Sequence, residues 1–129
     1  MYHHMNNSVY SFMFDSVIND FLVNKAGLHP PSSAEYAIIA HTETTFVSSI
    51  AYPAVAEVGV RVTHLGRSSV TYEVALFEKD VPGVKAVGGV VHVFVDRASG
   101  KPVRGGMGAG VRAALEEINL GPVGEKSKL

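Results

Sequence analysis

Residues 8–24 read SVYSFMFDSVINDFLVN, and this stretch decides the fold class of the chain. Its apolar side chains recur three and four residues apart, which is the spacing of one face of an α-helix. The members of that face are Tyr10, Met13, Phe14, Val17, Ile18, Phe21 and Leu22. Gly27 and the pair Pro30-Pro31 end the helix. Because the apolar arc is broad, the stretch predicts a long helix, Ser8 to Asn24, that is mostly enclosed by other structure.

After this helix the period of the apolar residues changes from 3.6 to 2, which is typical of strands. The alternating segments are 36–46, 57–63, 70–77 and 90–96. Short connections between them predict an antiparallel sheet, because parallel strands need long crossovers. The glycine-rich stretch 105–110 is predicted to be a flexible linker, and a short amphipathic helix, 111–118, follows it. One long helix against one antiparallel sheet predicts an α+β domain of two layers.

The amino-acid composition excludes several classes of function. The 129 residues include 11 Lys and Arg against 12 Asp and Glu, so the chain lacks the basic excess of a nucleic-acid-binding protein. It contains no cysteine, which excludes a disulfide scaffold, a zinc finger and a thiol nucleophile. No apolar run reaches the ~18–20 residues that span a bilayer. We expect one domain over residues 1–120 without metal, cofactor or membrane span, and a flexible tail over 121–129.

Several short segments resemble one known family in order and spacing. They are the heptapeptide His4-Met5-Asn6-Asn7-Ser8-Val9-Tyr10, the tripeptide Tyr52-Pro53-Ala54, the hairpin VRVTHLGRSS at 60–69, and the strand VHVFVD at 91–96. Together they resemble the hotdog-fold acyl-CoA thioesterases of the 4-hydroxybenzoyl-CoA thioesterase-like superfamily. The resemblance implies a hotdog fold, in which an antiparallel sheet wraps around a long central helix. It also implies hydrolysis of a CoA thioester to a free acid and CoA.

The same resemblance assigns the catalytic roles to the start of the long helix. Backbone N–H groups near Asn7 would hold the thioester carbonyl, because a helix N-terminus offers unpaired donors and the positive end of the dipole. His4 would hydrogen-bond the substrate or the family's catalytic aspartate, or is alternatively a surface or structural histidine. Asn6 and Tyr10 of the same motif would contact the substrate. Helix capping is the alternative role of Asn6 and Asn7. Some members of the family carry their catalytic carboxylate on this helix, which makes Asp15 the second candidate for the base. A solvated or interface residue is the alternative role of Asp15.

Coenzyme A carries phosphates, which bind cationic side chains on turns and strand ends. Arg67, Ser68 and Ser69 are the first candidates for this role, since the family uses this hairpin near the nucleotide. A second group, in which each residue is alternatively an ordinary solvent-facing side chain, consists of Arg61, His64 and Arg97. The acyl group would lie between helix and sheet. The residues expected to line its tunnel, or alternatively to form a plain core, are Phe14, Phe46 and Tyr52.

One departure from the family pattern concerns the catalytic carboxylate. Family members carry an aspartate four residues before the motif histidine, at the end of a first strand. Counting back from His4 reaches the position just before Met1, so the sequence as written is expected to lack this carboxylate and that strand. The resemblance therefore leaves two functions open. The chain is an acyl-CoA thioesterase that is impaired as written, or a non-catalytic hotdog module that binds acyl-CoA or serves in assembly.

The last three residues, Ser127-Lys128-Leu129, match the peroxisomal import signal that a receptor reads at a free C-terminus. We expect a peroxisomal protein if the source is a eukaryote, and a cytoplasmic one otherwise. Hotdog domains usually dimerise by joining sheet edges, which buries a strand that would otherwise aggregate. We therefore also expect self-association into a homodimer or homotetramer.

Overall fold

The computed structural model describes residues 7–28, 33–48, 50, 54–103 and 105–120, with the side chains of Asn7 and Ser8 excepted. Two helices and four strands lie in these ranges. In chain order they are α1 (Asn7–Asn24), β1 (Glu35–Phe46), β2 (Ala56–Leu65), β3 (Ser69–Glu78), β4 (Val84–Asp96) and α2 (Ala109–Glu117). Within the described part of the chain, no helix is long and apolar enough to cross a membrane.

The four strands form one sheet in the order β1-β4-β3-β2, and every neighbouring pair is antiparallel. Consecutive strands β2, β3 and β4 pair as hairpins, as their short connections predict. β1 reaches the far side of the sheet and pairs with β4, from Glu35 opposite Asp96 to Phe46 opposite Ala86. The predicted α+β architecture, with one antiparallel sheet and one long helix, is confirmed.

The core lies between α1 and one face of the sheet. Tyr10, Phe14, Ile18 and Leu22 are buried on α1 at helical spacing, as the sequence predicts. On the strands the buried side chains alternate with partly exposed ones, as they do at Val70, Tyr72, Val74 and Leu76 of β3. α1 thus buries one broad stripe against a sheet that is apolar on the facing side.

β4 begins at Val84, six residues earlier than the alternation of its side chains predicts. The reason is the pair Gly88-Gly89, which interrupts the apolar pattern without breaking the strand. Phe14 of α1 fills the space above Gly88, where an added Cβ would lie 2.5 Å from its Cε2 atom. Gly88 is therefore the position at which helix and sheet approach most closely among the described glycines.

The prediction that residues 105–110 form a flexible linker is wrong. Gly106 adopts a φ of +90°, and a Cβ there would lie 2.9 Å from the Arg67 carbonyl oxygen. Met107 is buried in the core, and its N–H donates to the Arg67 carbonyl over 2.9 Å. The Gly108 N–H donates to both carboxylate oxygens of Glu35 at 3.0 Å. These glycines serve close packing, and α2 starts at Ala109, two residues before its predicted beginning.

The two outer strands differ in how their edges are covered. The chain beyond α2 runs beside β2, where the Val62 N–H donates to the Ile118 carbonyl over 2.8 Å and Leu120 donates to the Val62 carbonyl over 3.0 Å. In the ranges that the structure describes, no strand pairs with the outer edge of β1. β1 also exposes large apolar side chains, which are Ile38, Ile39 and Phe46.

Candidate functional site

The N-terminal half of α1 lies over the end of the sheet where Phe46 pairs with Ala86. The ring of Tyr10 meets the ring of Phe46 edge-on, with 4.8 Å between the centroids. α1 begins at Asn7, so the backbone N–H groups assigned to the thioester carbonyl lie at the helix N-terminus, as expected. Tyr10 itself is almost fully buried in the core.

Asp15 lies two turns into α1 and is half-buried. Its Oδ2 atom accepts a hydrogen bond of 3.1 Å from Nδ2 of Asn19, one turn further along the helix. Asp20 has the same kind of partner, Nδ2 of Asn24 at 2.6 Å, but is exposed to solvent. The two aspartates therefore differ mainly in burial, which makes Asp20 a natural reference for any role of Asp15.

The residues predicted to bind coenzyme A lie on the turn between β2 and β3. Arg67 is exposed, while its carbonyl accepts hydrogen bonds from the Met107 N–H and from Nη2 of Arg112. The Ser68 carbonyl accepts from the Phe94 N–H over 2.7 Å, and Ser69 opens β3. The backbone of this turn is thus held by β4 and by α2, which fixes where the Arg67 side chain starts.

These two groups of residues do not meet within one chain. Ser69 pairs with Val93, whereas Leu76, near the other end of β3, pairs with Ala86 below the start of α1. Seven residues of strand separate the two pairs, which is about 23 Å at ~3.3 Å per residue. The helix N-terminus and the Arg67 turn therefore stand at opposite ends of the sheet.

Of the second group of candidate coenzyme A ligands, Arg61, His64 and Arg97, not all are free to bind a phosphate. Arg61 is buried rather than solvent-facing, and its Nε and Nη2 atoms bind Oε1 of Glu73 at 2.7 and 2.5 Å. Arg97 lies 4.9 Å from the ring centroid of Tyr36, and its Nε donates to the Ser33 carbonyl. His64 is exposed. The expectation that Arg61 is a solvent-facing residue or a phosphate ligand is wrong, because Glu73 already neutralises it inside the sheet.

Some predicted residues lie outside the described ranges. His4, Asn6 and Tyr52 belong to this set, as does the side chain of Asn7. Of the other tunnel candidates, Phe14 is fully buried and Phe46 is 46% exposed. Among the residues that are described, no group of three His, Asp or Glu side chains could hold a metal ion.

No role for His92 or Tyr72 follows from the sequence. Both are almost fully buried on the α1 side of the sheet, and their rings meet edge-on with 5.2 Å between the centroids. Burial lowers the pKa of His92 below its usual value, and the negative charge of Asp15 opposes this shift. The available signal was the alternation itself, since His92 occupies an inward position between Val91 and Val93.

Comparison with known proteins decides the family. A family model of the thioesterase-like superfamily matches residues 1–112. The chain belongs to the thioesterase-like superfamily. This family member resembles a Pseudomonas aeruginosa protein solved in an orthorhombic crystal form, with 34% identity and a TM-score of 0.87 over 92% of this chain and 82% of the other. The recognition of a hotdog thioesterase from its motifs is thereby confirmed.

Two more distant solved structures share the fold of this superfamily member. A Staphylococcus aureus protein in complex with CoA is 14% identical, with a TM-score of 0.83 over 95% of this chain and 77% of the other. A Thermus thermophilus thioesterase complexed with coenzyme A and zinc is 22% identical, with a TM-score of 0.72 over 90% and 82%. The predicted hotdog fold is confirmed. No curated protein matches the chain.

Proposed function

We propose that this superfamily member hydrolyses acyl-CoA thioesters to a free acid and CoA. The observation that carries the proposal is the half-buried carboxylate of Asp15, two turns after the start of α1 in a thioesterase fold. Thioester hydrolysis needs a base for the attacking water and donors for the developing oxyanion. Asp15 supplies the base, and the backbone N–H groups at the start of α1 supply the donors. The CoA complexes of two structural neighbours support the choice of CoA as the carrier.

Other carboxylates of the described sheet are less suited to act as the base. Glu73 neutralises the buried Arg61, and Glu35 accepts hydrogen bonds from the Gly108 N–H. These contacts occupy carboxylate oxygens that would otherwise be available to a water molecule. Asp15 is half-buried and, among the described residues, accepts one hydrogen bond, from Nδ2 of Asn19. We therefore assign the base to Asp15.

The proposed catalyst is a dimer that pairs the outer edge of β1 with the same edge of a second copy. A two-fold symmetric dimer of this kind has to be antiparallel. Antiparallel pairing lays the start of one β1 beside the end of the other, so the Arg67 turn of one copy approaches the α1 N-terminus of its partner. The exposed Ile38, Ile39 and Phe46 of β1 would then be covered. This arrangement brings together the two groups that one chain keeps about 23 Å apart.

The assay that tests the proposed function is release of free CoA thiol from acyl-CoAs of increasing chain length. If Asp15, rather than the aspartate that the family carries before the motif histidine, is the base, the purified chain should hydrolyse acyl-CoA. An Asp15→Asn variant should then have a kcat/KM lower by about 100-fold or more, the usual contribution of a general base. Asp20→Asn is the matched control, since Asp20 has the same type of helical partner but is exposed. Its kcat/KM should stay within about threefold of the unsubstituted chain.

The outcomes of this assay separate the alternatives. If the Asp15→Asn variant still hydrolyses acyl-CoA as well as the unsubstituted chain, the chain is a thioesterase but Asp15 is not its base. Failure to hydrolyse any acyl-CoA would contradict the proposed activity. If such a chain still bound acyl-CoA in a calorimeter, the non-catalytic binding module would be the correct function.

Dimer formation is tested separately by light scattering on the purified protein. Ile39→Lys places a charge on the exposed β1 edge and should shift the molecular mass from that of a dimer toward that of a monomer. Val55→Lys is the control, because Val55 is 60% exposed and lies outside β1. An unchanged mass for Ile39→Lys would rule out this edge as the interface.

A further inference from the structure

Two buried polar atoms on the α1 side of the sheet have no hydrogen-bond partner among the described residues. They are Oη of Tyr72 on β3 and Nδ1 of His92 on β4. Tyr72 is 1% exposed and His92 is 2% exposed. An unsatisfied buried donor or acceptor costs about 1–3 kcal/mol, and native structures contain few of them. Two such atoms on touching rings therefore point to a polar partner that binds between them.

The position of the pair places that partner in the space between helix and sheet. Tyr72 pairs with Val90 of β4, and His92 follows two residues later on the same face. Phe14 and Ile18 of α1 belong to the same buried cluster as Tyr72. Under the proposed function, this is the space that receives the acyl group. Phe14 and Ile18 are apolar, while the negative charge of Asp15 acts on His92.

The protonation states of the two groups define the chemistry of the partner. Burial raises the pKa of the Tyr72 phenol, so Tyr72 keeps its proton at neutral pH. Burial also lowers the pKa of His92 against the opposing effect of Asp15, so the imidazole is neutral. The pair thus offers a hydroxyl and one neutral ring nitrogen. A hydroxyl or carbonyl oxygen matches them, whereas a carboxylate would meet no cation there and would be repelled by Asp15.

We propose that Tyr72 and His92 form a hydrogen-bonding site for a neutral oxygen of the acyl group, so that hydroxy- or oxoacyl-CoAs are preferred over unsubstituted ones. This inference rests on the proposed function and deepens it by naming the substrate class. A site that contains buried hydrogen-bonding groups rejects an analogue without the matching atom, since its own groups then stay unpaired. An unsubstituted hydrocarbon chain would leave Oη of Tyr72 and Nδ1 of His92 without a hydrogen-bond partner.

The experiment compares pairs of acyl-CoAs that differ only in one hydroxyl, placed at carbon 3 or at the chain end, over a series of chain lengths. For at least one pair we expect kcat/KM to be about tenfold higher for the hydroxylated member, as two added hydrogen bonds imply. Tyr72→Phe should bring this ratio close to one. The readout is the ratio within each pair, so a general effect of Tyr72→Phe on kcat/KM for both members cancels.

Two further variants keep the test decisive. His92→Gln removes the ring nitrogen and should also reduce the ratio, while Tyr36→Phe, on a half-buried tyrosine that stacks with Arg97, should not change it. Equal kcat/KM within every pair for the unsubstituted chain would overturn the proposal. A tenfold preference that survives both Tyr72→Phe and His92→Gln would overturn it too.

The outcome can be separated from failure of the proposed function. If no acyl-CoA is hydrolysed, the same thioester pairs are compared by calorimetric affinity. Tighter binding of the hydroxylated member, lost in Tyr72→Phe, would support the site even though hydrolysis fails. Equal affinities would mean that Tyr72 and His92 do not recognise an acyl oxygen.

Discussion

At the scale of single residues, His92 is a buried group whose protonation depends on folding. Its pKa in the folded chain lies below the usual value near 6.5, first because it is buried and despite the opposing charge of Asp15. Below about pH 6.5 the unfolded chain therefore binds a proton that the folded chain does not. The contribution of His92 to the free energy of unfolding is therefore fully present above about pH 6.5. It is lost as the pH falls from there toward the folded-state pKa.

This linkage predicts a pH-dependent free energy of unfolding. Between about pH 7.5 and pH 5.5 the free energy of unfolding should decrease, and His92→Gln should make that decrease smaller. Chemical denaturation at several pH values measures both slopes. His64→Gln serves as the control, since His64 is exposed. If His92→Gln and the unsubstituted chain show the same slope, His92 is not the group that couples folding to pH.

The ion pair between Arg61 and Glu73 is the second residue-scale feature with a measurable consequence. Its side chains are only 6% and 13% exposed, so either charge is costly without its partner. Glu73→Gln should lower the free energy of unfolding by about 3–5 kcal/mol. Glu57→Gln, on an exposed glutamate of β2, should change it by less than about 0.5 kcal/mol. A similarly small effect at Glu73 would show that Arg61 is not buried as described.

At the scale of elements, the approach of α1 to β4 depends on the missing side chain of Gly88. A Cβ at Gly88 would lie 2.5 Å from Cε2 of Phe14, while a Cβ at Gly59 of β2 meets nothing within 4 Å. Gly88→Ala should therefore lower the free energy of unfolding by about 1–3 kcal/mol through overpacking. Gly59→Ala should be neutral or slightly stabilising. Thermal and chemical unfolding of both variants measure the difference, and equal stabilities would contradict this packing.

Element types could be predicted because their signals are local. α1 shows a sustained 3.6-residue stripe from Tyr10 to Leu22, and β2 and β3 alternate residue by residue. The start of β4 could not be predicted because Gly88 and Gly89 carry no side chain and interrupt the apolar alternation. Glycine is needed at position 88 because Phe14 of α1 packs there. The packed state of Gly106 likewise depends on Arg67, which is 39 positions away in the chain.

Less of the candidate site than of the fold could be predicted from the sequence. Asp15 and Arg67 can be found from motifs, but their separation follows only from the register of β3 with β4. The burial of Arg61 depends on Glu73 across the hairpin, which an alternating pattern does not reveal. The unpaired atoms of Tyr72 and His92 become visible only when the rings are placed side by side. Contacts between distant residues define these features, and no local pattern encodes them.

At the scale of the whole molecule, residues 121–129 lie outside the described ranges, and their proposed role is that of an import signal. A fluorescent protein that carries GPVGEKSKL at its C-terminus should collect in peroxisomes of a eukaryotic cell. The same fusion without its last three residues should remain diffuse. Diffuse fluorescence of both fusions would exclude this signal, because a C-terminal tripeptide address acts without the rest of the protein.

At this scale we propose a thioesterase site that belongs to the assembly, formed by α1 of one copy and the Arg67 turn of another. The most direct measurement is acyl-CoA hydrolysis by a mixture of two inactive variants, Asp15→Asn and Arg67→Ala, after subunit exchange. Half of the randomly formed dimers then contain one intact site of two, so the mixture should recover about one quarter of the unsubstituted activity. A mixture no more active than either variant alone would contradict the claim.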